Sequence, residues 1–199
     1  PSTLIRPMSK KLKNTKIEIG AQNCHEQISY GPFTGSINST MLKSVGARYV
    51  IIGHSENRQS GESDKLINIK IKNAIKCGLK VIFCIGETLK EKRKKITKKV
   101  LDKQIKLGLK GIKNKNKILI AYEPVWSIGT GLIPKSNELI DTISFIKKKI
   151  RNFYVLYGGS VNPRNMDELN SINNIDGFLI GGASQSPKKF IDIIKKTYS

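Results

Sequence analysis

The sequence predicts an α/β fold of parallel strands joined by crossover helices and wound as a (β/α) barrel. Two observations carry this expectation. Short apolar runs rich in β-branched residues alternate with longer stretches of helical spacing along the whole chain. Such an unbroken strand–helix alternation means parallel strands. Polar and Gly-rich residues then follow nearly every run: Gln22-Asn23, Gly53-His54-Ser55-Glu56, Gly86-Glu87, Glu123-Pro124, Gly158-Gly159-Ser160 and Gly181-Gly182. Chemistry at the C-terminal ends of many strands is the habit of the barrel. The alternative, a doubly wound nucleotide fold, usually shows a G-x-G-x-x-G fingerprint after its first strand, and none is present.

The strands are expected at Ile17 to Ala21, Tyr49 to Ile52, Val81 to Ile85, Ile118 to Tyr122, Phe153 to Leu156 and Phe178 to Ile180. His54 ends the second of these and opens a helix at Ser55-Glu56-Asn57-Arg58. The segment from Leu89 to Leu109 reads as one long, Lys-rich amphipathic stretch. Leu139, Ile140, Ile143, Ile146 and Ile150 fall on one helix face. Asn162-Pro163 and Ser186-Pro187 each read as an N-cap followed by Pro in the first turn.

Composition bounds the rest. The 199 residues, 38% of them hydrophobic, suffice for one sizeable domain, expected to span 1–199. No apolar run approaches a transmembrane span. Cys24, Cys77 and Cys84 are an odd number in apolar settings, which reads as reduced thiols in the cytoplasm. Cys24 beside His25 is a lone pair, so no metal is expected. The net charge of +21 raises nucleic acid as a partner. However, Lys far outnumbers Arg, and abundant Lys, Ile and Asn share A/T-rich codons. Lys90, Lys92, Lys94, Lys95, Lys98 and Lys99 also lack interleaved aromatics for base stacking. A solvated basic surface is the better reading.

The segment AYEPVWSIGTG at 121 to 131 poses the chemical question. A lone carboxylate, Glu123, follows an apolar run, where an acid is costly to bury without a job or a partner. The glycines behind it suggest a segment that moves, or a backbone that approaches something closely. Taken singly, Glu123 could be an ordinary loop acid, His54 a core histidine, and Gly158-Gly159 and Gly181-Gly182 tight turns. Together with IGHSE at 52 to 56, YGGSV at 157 to 161, DGFLIGGAS at 176 to 184, GAQN at 20 to 23 and GPFTG at 31 to 35, they resemble the triosephosphate isomerase family in order and spacing.

That resemblance implies interconversion of dihydroxyacetone phosphate and glyceraldehyde 3-phosphate, a step of glycolysis and gluconeogenesis, with no cofactor. It implies Glu123 as general base and His54, supported by Ser55 and Glu56, as the neutral electrophile that polarises the carbonyl; the positive end of the helix after His54 disfavours imidazolium. It implies a phosphate cradle of backbone N–H groups at Gly129, Ser160, Gly181 and Gly182. Pro124, Val125 and Trp126 become the first hinge of a lid, followed by Ser127, and Ile128, Gly129, Thr130 and Gly131 become its tip. Leu132, Ile133 and Pro134 form the second hinge, which departs from the commoner family pattern. Phe33, Thr34 and Gly35 match the loop through which the family dimerises.

The resemblance also sets an expectation about the start of the chain. Barrels of this kind take about 250 residues, so 199 residues hold about six and a half βα units. The family's first strand, first helix and second strand, with a first-loop Asn and Lys, have no counterpart. Glu56 is then expected to lack its family partner, that Lys. Two readings of function follow: an isomerase, or a non-catalytic or strongly impaired barrel fragment that keeps the fold and part of the phosphate site. Strands left open at 17 to 21 and 178 to 180 would invite self-association through an unusual interface.

Overall fold

The computed structural model describes residues 1–198. In chain order its main elements are α1 (Ile5–Lys11), β1 (Gly20–Ala21), α2 (Ser39–Ser44), β2 (Tyr49–Ile52), α3 (Ser55–Gln59), α4 (Asp64–Lys76), β3 (Lys80–Ile85), α5 (Leu89–Arg93) and α6 (Thr97–Gly108). They continue with β4 (Ile118–Tyr122), α7 (Ser136–Lys149), β5 (Val155–Tyr157), α8 (Met166–Asn170), β6 (Gly177–Phe178) and α9 (Pro187–Tyr198). The chain groups into two compact units, Pro1–Cys84 with Gln104–Leu119, and Ile85–Lys103 with Ile120–Ser199.

In the first unit β1, β2 and β3 pair in parallel, with Gly20 opposite Tyr49 and Val50 opposite Val81. Val50, Ile52, Val81 and Phe83 are fully buried, each stabilising the fold by roughly 1.5–3 kcal/mol. Helix α4 starts at Ser63, whose hydroxyl accepts from the Leu66 N–H, and it buries Ile67, Ile71 and Ala74. Asn68 on the same helix donates to the carbonyls of Gly108 and Lys110, satisfying the end of α6. In the second unit β4, β5 and β6 are likewise parallel, with Ile120 opposite Val155 and Leu156 opposite Gly177. Helix α7 buries Leu139, Ile143 and Ile146. Among the described residues no helix is long and apolar enough to cross a membrane.

The strands lie within a few residues of where the sequence places them: β2 and β4 match, β3 begins one residue earlier at Lys80, and β5 and β6 are shorter and shifted by one or two residues. Only Gly20 and Ala21 of the first run are in the sheet, and Ile17 is 60% exposed. Three helical expectations are corrected. The stretch from Leu89 to Leu109 is two helices, broken where Lys95 takes the left-handed conformation at φ 56°. Ile140, assigned to the buried face of α7, is 42% exposed. Asn162-Pro163 opens a turn, its carboxamide accepting from the Arg164 N–H, and α8 begins only at Met166. Ser186-Pro187 does start α9, and the Ser186 hydroxyl accepts from the Lys189 N–H.

Candidate active site

In the first unit β2 delivers His54 to the start of α3, where it is the N-cap residue. Its Nδ1 accepts from the Glu56 N–H at 3.4 Å. An accepting Nδ1 leaves Nε2 as the donor nitrogen of the ring. Ser55 is buried behind it, while the Glu56 side chain points outward, its carboxylate 3.8 Å from His54 Nδ1. Gly53 is held by Arg58, which donates to its carbonyl at 2.7 Å, to the Cys84 carbonyl at 3.2 Å and to Asp64 at 2.7 Å. Three acceptors on one guanidinium fix the strand end that carries the histidine.

The polar pair after β1 has a structural task. Asn23 donates to Glu62, which also pairs with buried Lys70. Cys24 beside it is buried, and desolvation pushes its thiol up to about 12, so it stays a thiol at neutral pH. The loop that follows is pinned at its base: the Asn38 and Asn73 carboxamides donate to the carbonyls of Ser29 and Glu26, and the Thr40 hydroxyl to that of Ile28. Its tip is free of the core. Phe33 packs on the His25 ring at 4.9 Å, and Thr34 and Gly35 are exposed.

In the second unit Glu123 stands one residue beyond β4 and is only 4% exposed. Its N–H donates to the Ile85 carbonyl at 2.8 Å. An atom added at the Cα of Gly86 would lie 1.8 Å from the Glu123 carbonyl oxygen, so only glycine lets the two backbones meet there. The carboxylate stem runs along Gly158: a Cβ there would fall 2.7 Å from Glu123 Cγ and 3.3 Å from Leu179 Cβ. Thus the acid at the end of β4 lies against the glycine that follows β5, and Leu179, just after β6, packs on that same glycine. Leu179 is a neighbour that sequence reading missed; its place in DGFLIGGAS gave only a strand residue.

Behind Glu123 the chain turns at once. The Val125 N–H donates to the Glu87 carbonyl at 3.0 Å, and the Trp126 indole N–H to the Glu87 carboxylate at 2.8 Å. Tyr122 adds its hydroxyl to the same carboxylate at 3.1 Å. Glu87 is 1% exposed, and burial raises its carboxyl above the usual range, opposed by the Trp126 and Tyr122 donors. The Lys92 ammonium sits 3.7 Å from the Trp126 ring centroid and pairs with Glu138 in the first turn of α7. Glu87 and Lys92, read in the sequence as a strand-end acid and a surface cation, therefore hold the segment expected as the first hinge.

The expected lid tip is a run of turns in which Gly129 and Gly131 take φ values of 71° and 80°. These positive angles are what the glycines of SIGTG supply. Ser127, between hinge and tip, is fully buried. Its hydroxyl donates to the Leu132 carbonyl, accepts from the Ser160 N–H at 3.1 Å and lies 3.3 Å from the Tyr157 hydroxyl. The segment around Ser127 is thereby joined to the loop after β5. Gly181 and Gly182 open a 3₁₀ turn after β6, and a Cβ at either would meet nothing within 4 Å, leaving that backbone open to approach.

A family model described as triosephosphate isomerase matches residues 1–197. The chain belongs to the triosephosphate isomerase family. It is 44% identical to the triosephosphate isomerase of Dictyoglomus thermophilum, over 98% of this chain and 83% of the relative. It is 43% identical to that of Thermodesulfovibrio yellowstonii, over 96% and 81%. The crystal structure of triosephosphate isomerase from Bartonella henselae superposes with a TM-score of 0.91 at 37% identity, covering 100% of this chain and 85% of that one. The α/β barrel class expected from the strand–helix alternation is the fold class of this family member.

Proposed function

We propose that the chain interconverts dihydroxyacetone phosphate and glyceraldehyde 3-phosphate by moving a proton between adjacent carbons through an enediolate. The observation that carries this reading is Glu123, a nearly fully buried carboxylate at the end of β4 in a member of the triosephosphate isomerase family. The Glu123 carboxylate takes a proton from C1 of the ketose, and the electron pair moves into the C1–C2 bond. Negative charge develops on the C2 oxygen, where the His54 Nε2–H donates. Glu123, now a carboxylic acid, returns the proton to C2 as the hydroxyl proton passes from one oxygen to the other. The sum is redox-neutral, so proton donors and acceptors suffice.

The backbone N–H groups of Gly129, Ser160, Gly181 and Gly182 are the proposed phosphate cradle, placed on loops after strands as in other phosphate-binding barrels. The lid from Pro124 to Gly131 closes over the substrate and excludes water, which strengthens every charge interaction beneath it. The enzyme works in the cytoplasm. A coupled assay that follows triose phosphate turnover tests the reaction. Millimolar 2-phosphoglycolate tests the cradle: at about 100 times its Kd it should stabilise the protein by about 2.7 kcal/mol and raise Tm. An unchanged Tm would mean that these loops do not take phosphate.

Self-association is part of the proposal. The pinned base and exposed tip of the loop carrying Phe33, Thr34 and Gly35 present a rigid knob. Phe190, Ile191, Ile194 and Tyr198 form an exposed apolar stripe on α9. Light scattering at micromolar concentration should return a mass of at least two chains, and a monomer would refute it.

A further inference from the structure

Ser127 presents a puzzle that the reaction does not explain. A lid has to move, yet this lid residue is fully buried and its hydroxyl has three polar neighbours. A hydroxyl has one proton to give and two lone pairs to fill. The proton goes to the Leu132 carbonyl, which ties the first hinge to the second. The Ser160 N–H donates to one lone pair at 3.1 Å, and the Tyr157 hydroxyl, 3.3 Å away and itself buried, faces the other. The site is built tightly: a Cβ at Gly159 would fall 2.2 Å from the Tyr157 hydroxyl and 2.7 Å from the Ser127 hydroxyl.

Of these groups the Ser160 N–H is the one with two claimants. It belongs to the phosphate cradle proposed above, and here it donates to a hydroxyl of the lid. We propose that the Ser127 hydroxyl is an internal competitor for the substrate phosphate, filling the place of a phosphate oxygen at the Ser160 N–H and surrendering it when phosphate binds. This inference rests on the cradle reading.

The competition couples two events. An arriving phosphate oxygen accepts from the Ser160 N–H more strongly than a neutral hydroxyl does, because the bond is charge-assisted. Loss of that bond removes one of the contacts anchoring Ser127 to the loop after β5, so phosphate capture loosens the lid where it must swing. The coupling is reciprocal: a lid held down by Ser127 weakens phosphate binding by the same factor. Ser127 is thus a positioning residue. It sets how readily the lid leaves its resting place and keeps the Ser160 N–H satisfied until substrate arrives.

The test uses the full chain with inorganic phosphate and 2-phosphoglycolate as probes. Ser127→Ala removes the competitor, and both anions are expected to bind about 2- to 10-fold more tightly by titration calorimetry, the range of one hydrogen bond. If Ser127 were only a structural tie, its loss would slacken the loop, and binding would be unchanged or weaker; either result overturns the proposal. Wild-type amide exchange is read alongside. The Ser160 N–H should be protected before any anion is added and remain protected when one is bound. Rapid exchange in the anion-free wild type would overturn the proposal even if Ser127→Ala failed to fold. Should the wild type bind neither anion, the cradle reading falls and this inference with it. If it binds both and Ser127→Ala binds no better, the inference falls alone.

Discussion

Glu123→Gln is expected to lower kcat by about 100- to 10,000-fold, the contribution of a positioned general base. The amide has the same shape, so substrate still meets the same walls and KM should change little. Because the amide fills the same space, the variant should fold and melt close to the wild-type temperature while losing turnover. Turnover within a factor of a few of wild type, measured with glyceraldehyde 3-phosphate in a coupled assay, would remove Glu123 from the mechanism.

Gly86→Ala should do the reverse and strike stability first. The added methyl would lie 1.8 Å from the Glu123 carbonyl oxygen and 2.6 Å from its carbonyl carbon, both main-chain atoms that cannot swing aside. One backbone must shift, at a cost of about 3 kcal/mol or more. In a chain of 199 residues that lowers Tm by roughly 6–12 °C. Because the displaced backbone is that of the proposed base, kcat should fall even well below the new melting point. Gly182→Ala is the contrasting variant. Its methyl meets nothing within 4 Å, and its Tm should change by about 2 °C or less. Calorimetric scans of the pair decide the matter, and a Gly86→Ala protein as stable as wild type would contradict this account of the contact.

The residues of these two predictions were legible in the sequence to different degrees. Glu123, His54 and the glycines of SIGTG stand out because their types clash with their neighbours: an acid after an apolar run, a lone imidazole at a strand end, paired glycines near a turn. The alternation of β-branched runs also placed every strand, since a buried parallel strand needs apolar residues on both faces. What the sequence hid has physical reasons. The break between α5 and α6 falls at Lys95, where no Gly or Pro marks a left-handed residue, so the Lys-rich stretch reads as continuous. Ile140 shares its spacing with the buried face of α7 but lies at the rim of the stripe. Ser127, Glu87 and Leu179 matter through partners 5 to 39 residues away along the chain, and no local pattern encodes such meetings.

Trp126 is the chain's sole tryptophan, and it stands in the proposed first hinge of the lid. Its indole N–H is bound to the buried Glu87 carboxylate, and the Lys92 ammonium stands over its ring. Full charges this close to an indole set the energy of its excited state, and the colour of its emission follows their arrangement. The unlabelled protein therefore carries its own optical gauge, with a single source and no background from other indoles. A hinge that swings away from Glu87 changes that colour at the moment it moves. Rapid mixing with a ligand then reads lid kinetics directly, separately from chemistry and from product release.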